Sequence, residues 1–460
     1  MTVASTKTTA KEIVAQLQRA GFAAFWVGGC VRDFLLGREA QDFDIATDAR
    51  PEQVEKLFRK TIPVGKKFGV IIVVEGGQQF QVATFRAEAD YQDGRRPETV
   101  VFANAEADAS RRDFTVNGLF YDPLTEKIHD WVGGEKDLRS KIIRTIGQPE
   151  ERFGEDHLRM LRAVRFAAQL NFEIEPPTFA AIQALAPKIK LISAERVRDE
   201  LVKLFAPPSW SSSFSLSGDT LQRELQQPAA RGLFLLRDSG LLEHVLPEVA
   251  ATIHCEQSPD FHPEGSVFNH LCLMLENLPA GANESLPWAV LLHDIAKPVT
   301  AERDVETGRI HFYGHEKVGA EMAETILQRL RFPNKQTEAI VVCVRNHMQF
   351  KDVKQMRKAT LRRLLLRETF PLELELHRLD CLGSPGGLEY YDFLVQQAEE
   401  LKHQPALRPP LLTGDDLIAL GVQPGKVLGA LLAEIRELQL ADELATPDQA
   451  QAWVKKKLAN

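Results

Sequence analysis

The chain has 460 residues, 44% of them hydrophobic and 26% charged, and a formal net charge of −8. That suits a globular protein with room for about three domains of ~150 residues each. The acidic balance excludes nucleic-acid binding by the molecule as a whole, so any such partner must meet a local basic surface. No uninterrupted apolar run approaches the ~20 residues of a membrane helix. The opening MTVASTKTTAKEIVAQL lacks the basic flank and apolar core of a signal peptide. Cys30, Cys255, Cys272, Cys343 and Cys381 show no CxxC spacing, so a reduced, cytoplasmic protein is expected.

In chain order, residues 11–20 read as a helix and 23–27 as a strand. The strand ends in Gly28-Gly29 before a helix starting near Val31, leaving free backbone N–H groups that a phosphate can approach closely. Arg32, one turn in, adds charge there. Alone, the two glycines favour a plain tight turn over a phosphate site. In the DFDI that follows, period-2 geometry puts Asp42 and Asp44 on one strand face and Phe43 and Ile45 on the other. Two adjacent like charges favour a cation between them, and paired carboxylates suit Mg²⁺ and in-line phosphoryl transfer. Standing alone, such a pair is equally a solvated strand end.

Residues 70–74 and 80–85, joined through Glu75-Gly76-Gly77, predict a hairpin. A further strand is expected at 128–131. From Glu155 onward the pattern is helical, with Leu158, Leu161, Val164 and Ala168 at helical spacing. The polar, Pro/Ser-rich 206–219 reads as a linker and ALRPP (406–410) as a second joint. No fixed-period repeat is found.

GGCVRDFLLG and DFDIATDARPEQV are followed in order by TIPVGKKFGVIIVV, VATFR, DYQDGRRPETVVF, RRDFTVNGLFYDP, DWVGGEKDLRSKIIRTIG, EDHLRMLRAVRFAAQLNF and ISAERVRDEL. This series, from about residue 12 to 205, resembles the class II tRNA nucleotidyltransferase and bacterial poly(A) polymerase family. The resemblance implies that Asp42 and Asp44 bind the catalytic Mg²⁺, that Gly29 and Arg32 contact the triphosphate, and that Arg112 and Asp113 contact the nucleotide and its ribose. It implies that Asp156 and Arg159 pair with the base edge as a protein template, with Arg162 and Arg165 counted among the nucleotide-binding residues. Asp156, Arg159 and Arg162 lie three apart and are expected near one helical face, where they would otherwise be a surface ion-pair ladder. One position departs from the family: Gln81 stands where an acid is usual before TFR, so another acid, such as Glu75 or Asp113, is expected to help. The segment 86–100 is kept, where CC-adding relatives characteristically lack it, and VGKKFGV is closer to the tRNA enzymes than to polyadenylating ones.

A second constellation follows: His270, His293-Asp294, His315, His347 and Asp380, with His293 and Asp294 ending the apolar LPWAVLLHDIAKP. A buried His-Asp pair is costly without a metal or satisfied partners. The ordered set resembles HD-type metal-dependent phosphohydrolases, which implies a second divalent metal (Ni²⁺, Mn²⁺ or Mg²⁺). Lys297 and His311 are unassigned neighbours. Residues 351–367 (KDVKQMRKATLRRLLLR) read as a basic helical stripe, either a solvated face, which the neighbours Asp352 and Glu368 favour, or a surface for tRNA phosphates. LLTGDDLIALGVQPGKVLGALLAEI (411–435) resembles the family's C-terminal segment, with Gly421, Pro424 and Gly425 turning a helix–turn–helix.

The expected fold is α+β: a small mixed-sheet nucleotidyltransferase head (1–147), an all-α neck with the nucleotide-selecting helix (148–205), a linker and helical body (206–258), an HD-like helical domain (259–400) and a helical, tRNA-binding tail (401–460). The expected activity is template-independent addition or repair of the 3′-terminal CCA of tRNA from CTP and ATP. The alternatives are an A-adding enzyme, a poly(A) polymerase, or an RNA-binding protein with an inactive head.

Overall fold

The structure is a computed structural model and describes residues 3–40, 42–87, 101–207, 227–258, 262, 264–382, 387–402 and 409–458. Most of the segment 86–100, of the linker and of the second joint lies outside these residues. The chain forms two compact units, one running to Ala206 and resuming up to Pro247, the other from Glu248 onward.

The first unit holds a seven-stranded mixed sheet in the order Thr61–Gly65, Val70–Glu75, Gln78–Thr84, Ile45–Thr47, Ala24–Val27, Phe120–Asp122 and Lys127–His129. Ile45–Thr47 runs parallel to Gln78–Thr84, while the other neighbours are antiparallel. The expected hairpin closes through Gly76 and Gly77, whose φ of 57° and 77° suit a two-residue turn matched to strand twist. The helix expected at 11–20 spans Val3–Arg19, and Ala10, Ile13, Val14 and Leu17 form its buried stripe. The strand expected at 128–131 ends at His129, because the Asp130 carboxylate accepts N–H bonds from Val132, Gly134 and Glu135 at 2.9–3.1 Å and caps the next helix.

The helical run expected from Glu155 is interrupted. Pro149–Glu155 ends, Asp156 is extended (φ −150°, ψ 102°), and the next helix is Leu158–Leu170. Asp156 Oδ1 instead accepts the Leu158 N–H at 3.1 Å, serving an orphan donor at the new helix start. Asp156 therefore precedes the helix that carries Arg159 and Arg162, which corrects the expectation of one shared helical face. Leu158, Leu161, Val164 and Ala168 are buried, and the helix packs on Ala194–Phe205 and Pro228–Asp238.

The second unit is helical. Every residue of Leu286–Leu292 is buried, with Trp288 edge-on to Phe332 at 4.7 Å, and this carries His293 and Asp294 into the interior. In the C-terminal part, Gly414–Ala419 and Lys426–Leu440 form the expected helix–turn–helix, with Leu417, Val422, Leu431 and Ile435 in one core with Val454. The basic stripe is corrected. It splits into a 3₁₀ turn, His347–Gln355, and a helix, Lys358–Leu365. Lys354 pairs with Glu389, Lys358 and Arg362 with Asp442, Arg363 with Glu437, and Arg367 with Glu373. These cations hold helices of the unit to one another. No described helix is long and apolar enough to cross a membrane.

Candidate functional sites

In the head, Phe43 and Ile45 are buried while Asp42 and Asp44 are exposed, the alternation expected of the pair. Lost solvation raises the Asp44 carboxyl above its ordinary value; the charge of Asp42 adds to this and Arg112 opposes it. Val27 N–H donates to Asp44 O at 3.0 Å and Gly28 N–H to Leu119 O at 3.2 Å, so the glycine turn is fixed beside the aspartates. Gly28 has φ 72°, and a Cβ there would lie 2.9 Å from Arg112 Nη1. Glycine is thus required both by the backbone and by the guanidinium lying over it. Arg112 is held by Asp108 Oδ2 (3.1 Å), Asn117 O (3.4 Å) and the Phe120 ring face (5.0 Å).

Arg32 donates to Asn117 Oδ1 at 2.7 Å, and Asn117 Nδ2 donates to Asp113 Oδ1 at 3.1 Å. Asp113 Oδ2 receives Arg162 Nε and Nη2 at 2.8 and 2.6 Å. Burial alone would raise the Asp113 carboxyl; the Arg162 charge and the hydrogen bonds from Asn117, Arg162 and the Phe114 N–H outweigh it and hold it at about 2. A continuous polar chain therefore runs from the glycine turn to the neck helix.

Asp156 and Arg159 do not pair with each other. Asp156 Oδ2 accepts from Arg196 Nη2 at 2.6 Å; Arg159 pairs with Glu155 and donates to Arg152 O at 2.9 Å. Arg165 is buried against Glu200 (2.6 Å) and Gln169 (3.1 Å), and Glu200 also faces Arg162 at 3.5 Å. The sequence reading missed Asp108, Asn117, Arg152, Arg196 and Glu200. All stand near or in quoted motifs, but their partners lie up to 85 positions away. Val82 is registered opposite Ile45, so extending the register by one residue sets exposed Gln81 level with Asp44. Neither substitute acid is brought to that level: Glu75 sits at the hairpin turn opposite Gln78, and Asp113 is committed to Arg162, Asn117 and Phe114.

The second cluster comes together as expected. His270, His293 and Asp380 offer ligand atoms within 4.8 Å of one another, as do Asp294, His315 and His347. His293 Nε2 lies 3.1 Å from Asp294 Oδ2, His315 Nε2 is 3.3 Å from Asp294 Oδ1, and Lys297 Nζ is 2.6 Å from Asp294 Oδ2. His293, His315 and His347 each bond Nδ1 to a backbone carbonyl, of Val290, Phe312 and Val344, at 2.8, 2.7 and 2.6 Å. The proton therefore sits on Nδ1 and the Nε2 lone pairs face inward, the arrangement of metal-ligating histidines. His315 Nε2 and His347 Nε2 approach to 3.1 Å, two acceptors that a shared cation would satisfy. Burial and the neighbouring His293 hold His347 down at about 3, so it is neutral and ready to ligate at pH 7. The donor set fits divalent metal. Lys297, unassigned in the sequence, belongs here through Asp294. His311 instead stacks on exposed Tyr313.

A mixed-sheet head with an exposed Asp42/Asp44 pair is thus followed along the chain by a helical unit with a buried His/Asp cluster. Residues 24–144 match the poly A polymerase head domain, 171–216 a probable RNA- and SrmB-binding site of polymerase A, and 266–382 the HD domain. By these matches the chain resembles the tRNA nucleotidyltransferase and bacterial poly(A) polymerase family over its first half and HD domains further on. It is similar to the CCA-adding enzyme of Lactobacillus helveticus, 46% identical over 46% of this chain and 53% of the relative, and to that of Staphylococcus aureus, 45% identical over 45% and 52%. The chain thus spans about half the length of the curated relatives it matches. The crystal structure of the Bacillus stearothermophilus CCA-adding enzyme in complex with CTP is 27% identical over 98% of this chain and 97% of that one, with a TM-score of 0.71. The Thermotoga maritima CCA-adding enzyme complexed with tRNA, 17% identical over 98% and 94% with a TM-score of 0.55, shares the fold.

Proposed function

We propose that this protein adds or repairs the 3′-terminal CCA of tRNA from CTP and ATP without a nucleic-acid template, releasing pyrophosphate, in the cytoplasm. The observation that carries this reading is the exposed Asp42/Asp44 pair, backed by buried Phe43 and Ile45 and set beside the Gly28 turn and Arg112. The relatives named CCA-adding enzymes support the choice of reaction. Asp42 and Asp44 would hold Mg²⁺, which would neutralise charge on the triphosphate and on the attacking oxygen as its proton leaves. Gly29 and Arg32 receive the phosphates, at a helix start where N–H groups and a guanidinium converge. Arg112 and Asp113 place the ribose. Asp156 presents acceptors and Arg159 donors, which complement the edges of C and A once their present partners Arg196 and Glu155 are exchanged for a base. Arg162 holds Asp113 in place, and Arg165 supports Arg162 from behind through Glu200.

For the second cluster, we read His270, His293 and Asp380 as holding one divalent ion and Asp294, His315 and His347 another, Ni²⁺, Mn²⁺ or Mg²⁺. Such ions supply Lewis acidity for phosphoester hydrolysis. The substrate is a damaged or 2′,3′-cyclic phosphate RNA end, where one water opens the ring at the P–O3′ bond to free the 3′-hydroxyl, the phosphate staying on O2′ until a second water releases it.

The test is extension of tRNA lacking CCA, with each NTP alone and with CTP plus ATP. Two C residues from CTP and a terminal A only after them support the proposal. Addition of A alone would give the A-adding enzyme, long A tracts the poly(A) polymerase, and no extension an RNA-binding protein with an inactive head.

A further inference from the structure

Three of the four ligand histidines of the second cluster are oriented by main-chain carbonyls; His270 is not. It is fully buried, its Nε2 lies 3.2 Å from Asp380 Oδ1, and its Nδ1 lies 2.7 Å from Glu264 Oε1. Glu264 stands outside the ordered H…HD…H…H…D set. The same oxygen also meets His262 Nδ1 at 3.0 Å, and the two imidazoles are edge-to-face at 4.9 Å.

Local structure fixes this carboxylate. Gly265 takes φ 92°, turning the chain between Glu264 and Ser266, which caps the helix Val267–Glu276. Asn269 Nδ2 donates to Glu264 O at 3.0 Å, Gly265 N–H to His262 O at 3.1 Å, and Val267 N–H to Cys255 O at 2.9 Å. Glu264 is thereby held six residues before His270, ahead of the helix that carries it.

We propose that Glu264 is a positioning residue of the metal centre: it accepts a hydrogen bond from the Nδ1–H of His270, which leaves the Nε2 lone pair for the ion that His293 and Asp380 would share. A carboxylate accepts only, so both His262 and His270 carry their proton on Nδ1 in this arrangement. Carboxylate–histidine–metal pairs raise ligand basicity and fix ring orientation, and their loss typically weakens metal binding 10–100-fold. Since His315 and His347 bond Nδ1 to main-chain carbonyls, with the Glu316 carboxylate 3.9 Å from His315 Nδ1, the two subsites should respond differently. This inference rests on the metal-centre reading given above.

The experiment is calorimetric titration of the metal-stripped, full-length protein with Mn²⁺, together with the ligand-field spectrum of the Co²⁺ form. Wild type is expected to take up two ions. Glu264→Ala should weaken one of them about 10–100-fold, leave the other unchanged and alter the Co²⁺ spectrum. Glu264→Gln, which keeps an acceptor but not the charge, should fall between and carries the test if Glu264→Ala fails to fold. Two ions bound at wild-type affinity in both variants would overturn the assignment of Glu264 alone. No uptake by wild type would overturn the metal-centre reading and this assignment with it.

Discussion

Asp113 and Arg162 are joined by two hydrogen bonds, 2.8 and 2.6 Å, across 49 positions of sequence. They tie the segment after Arg112 to the helix Leu158–Leu170, alongside the bonds from Arg152 Nη2 to Arg111 O and Arg112 O. The pair also makes stability depend on acid. Asp113 sits at about 2 when folded, below its ordinary 3.8. A depressed carboxylate contributes stability above its unfolded value and loses it as pH falls through the folded one, here between pH 4 and 2. The contribution is about 2 kcal/mol at neutral pH. Denaturant unfolding against pH should show a flatter acid limb for Asp113→Asn than for wild type; equal slopes would mean the pair adds nothing.

Asp42→Ala or Asp44→Ala should lower addition of both C and A by at least ~10³-fold, since loss of a metal-held charge costs several kcal/mol of transition-state stabilisation. Affinity for tRNA should stay within about twofold, because neither residue is expected to touch the acceptor arm. Extension rates and filter binding on the same preparations decide it.

Gly28→Ala forces an L-residue to φ 72° and drives its methyl to within 2.9 Å of Arg112 Nη1. The strain is about 1–3 kcal/mol and falls on the turn beside Asp44. Steady-state kinetics should show kcat/KM for CTP reduced about 10–100-fold. A variant as active as wild type would place nucleotide binding away from this turn.

Asp156→Ala combined with Arg159→Ala should relax the choice of base more than it lowers triphosphate affinity. Competition between CTP, ATP, UTP and GTP measures this, and an unchanged preference would refute the template role.

His293→Ala and Asp294→Ala should abolish Ni²⁺- or Mn²⁺-stimulated hydrolysis of a 2′,3′-cyclic phosphate while nucleotide addition persists. Parallel assays of both activities would reveal coupling if the two fell together.

The residues that were legible in sequence are those governed by local periodicity. Phe43 and Ile45 alternate with Asp42 and Asp44, and Leu286–Leu292 is apolar throughout, so the exposed acids and the buried His293–Asp294 follow from neighbours one or two positions away. The break at Asp156 was hidden because the nearby Gly154 lies inside the helix Pro149–Glu155 and not at the break; a side chain capping Leu158 competes with a helical pattern that otherwise continues. The charges of 351–367 looked free because Glu437 and Asp442, which neutralise three of them, lie about 80 positions downstream. Glu264 sits in a turn with no period, and only the fold brings it to His270.

In the second cluster, His293, His315 and His347 all fold back onto the carbonyl three residues earlier. For His293 and His347 these are carbonyls of a helix's last turn, groups that otherwise lack a partner within the helix. The aim of each ring is therefore written into the main chain, where no single side-chain replacement can erase it. The same economy has a reverse side. Fraying at either helix end would turn its ring away, so order at Val290 and Val344 would be linked to the binding of a metal in this cluster.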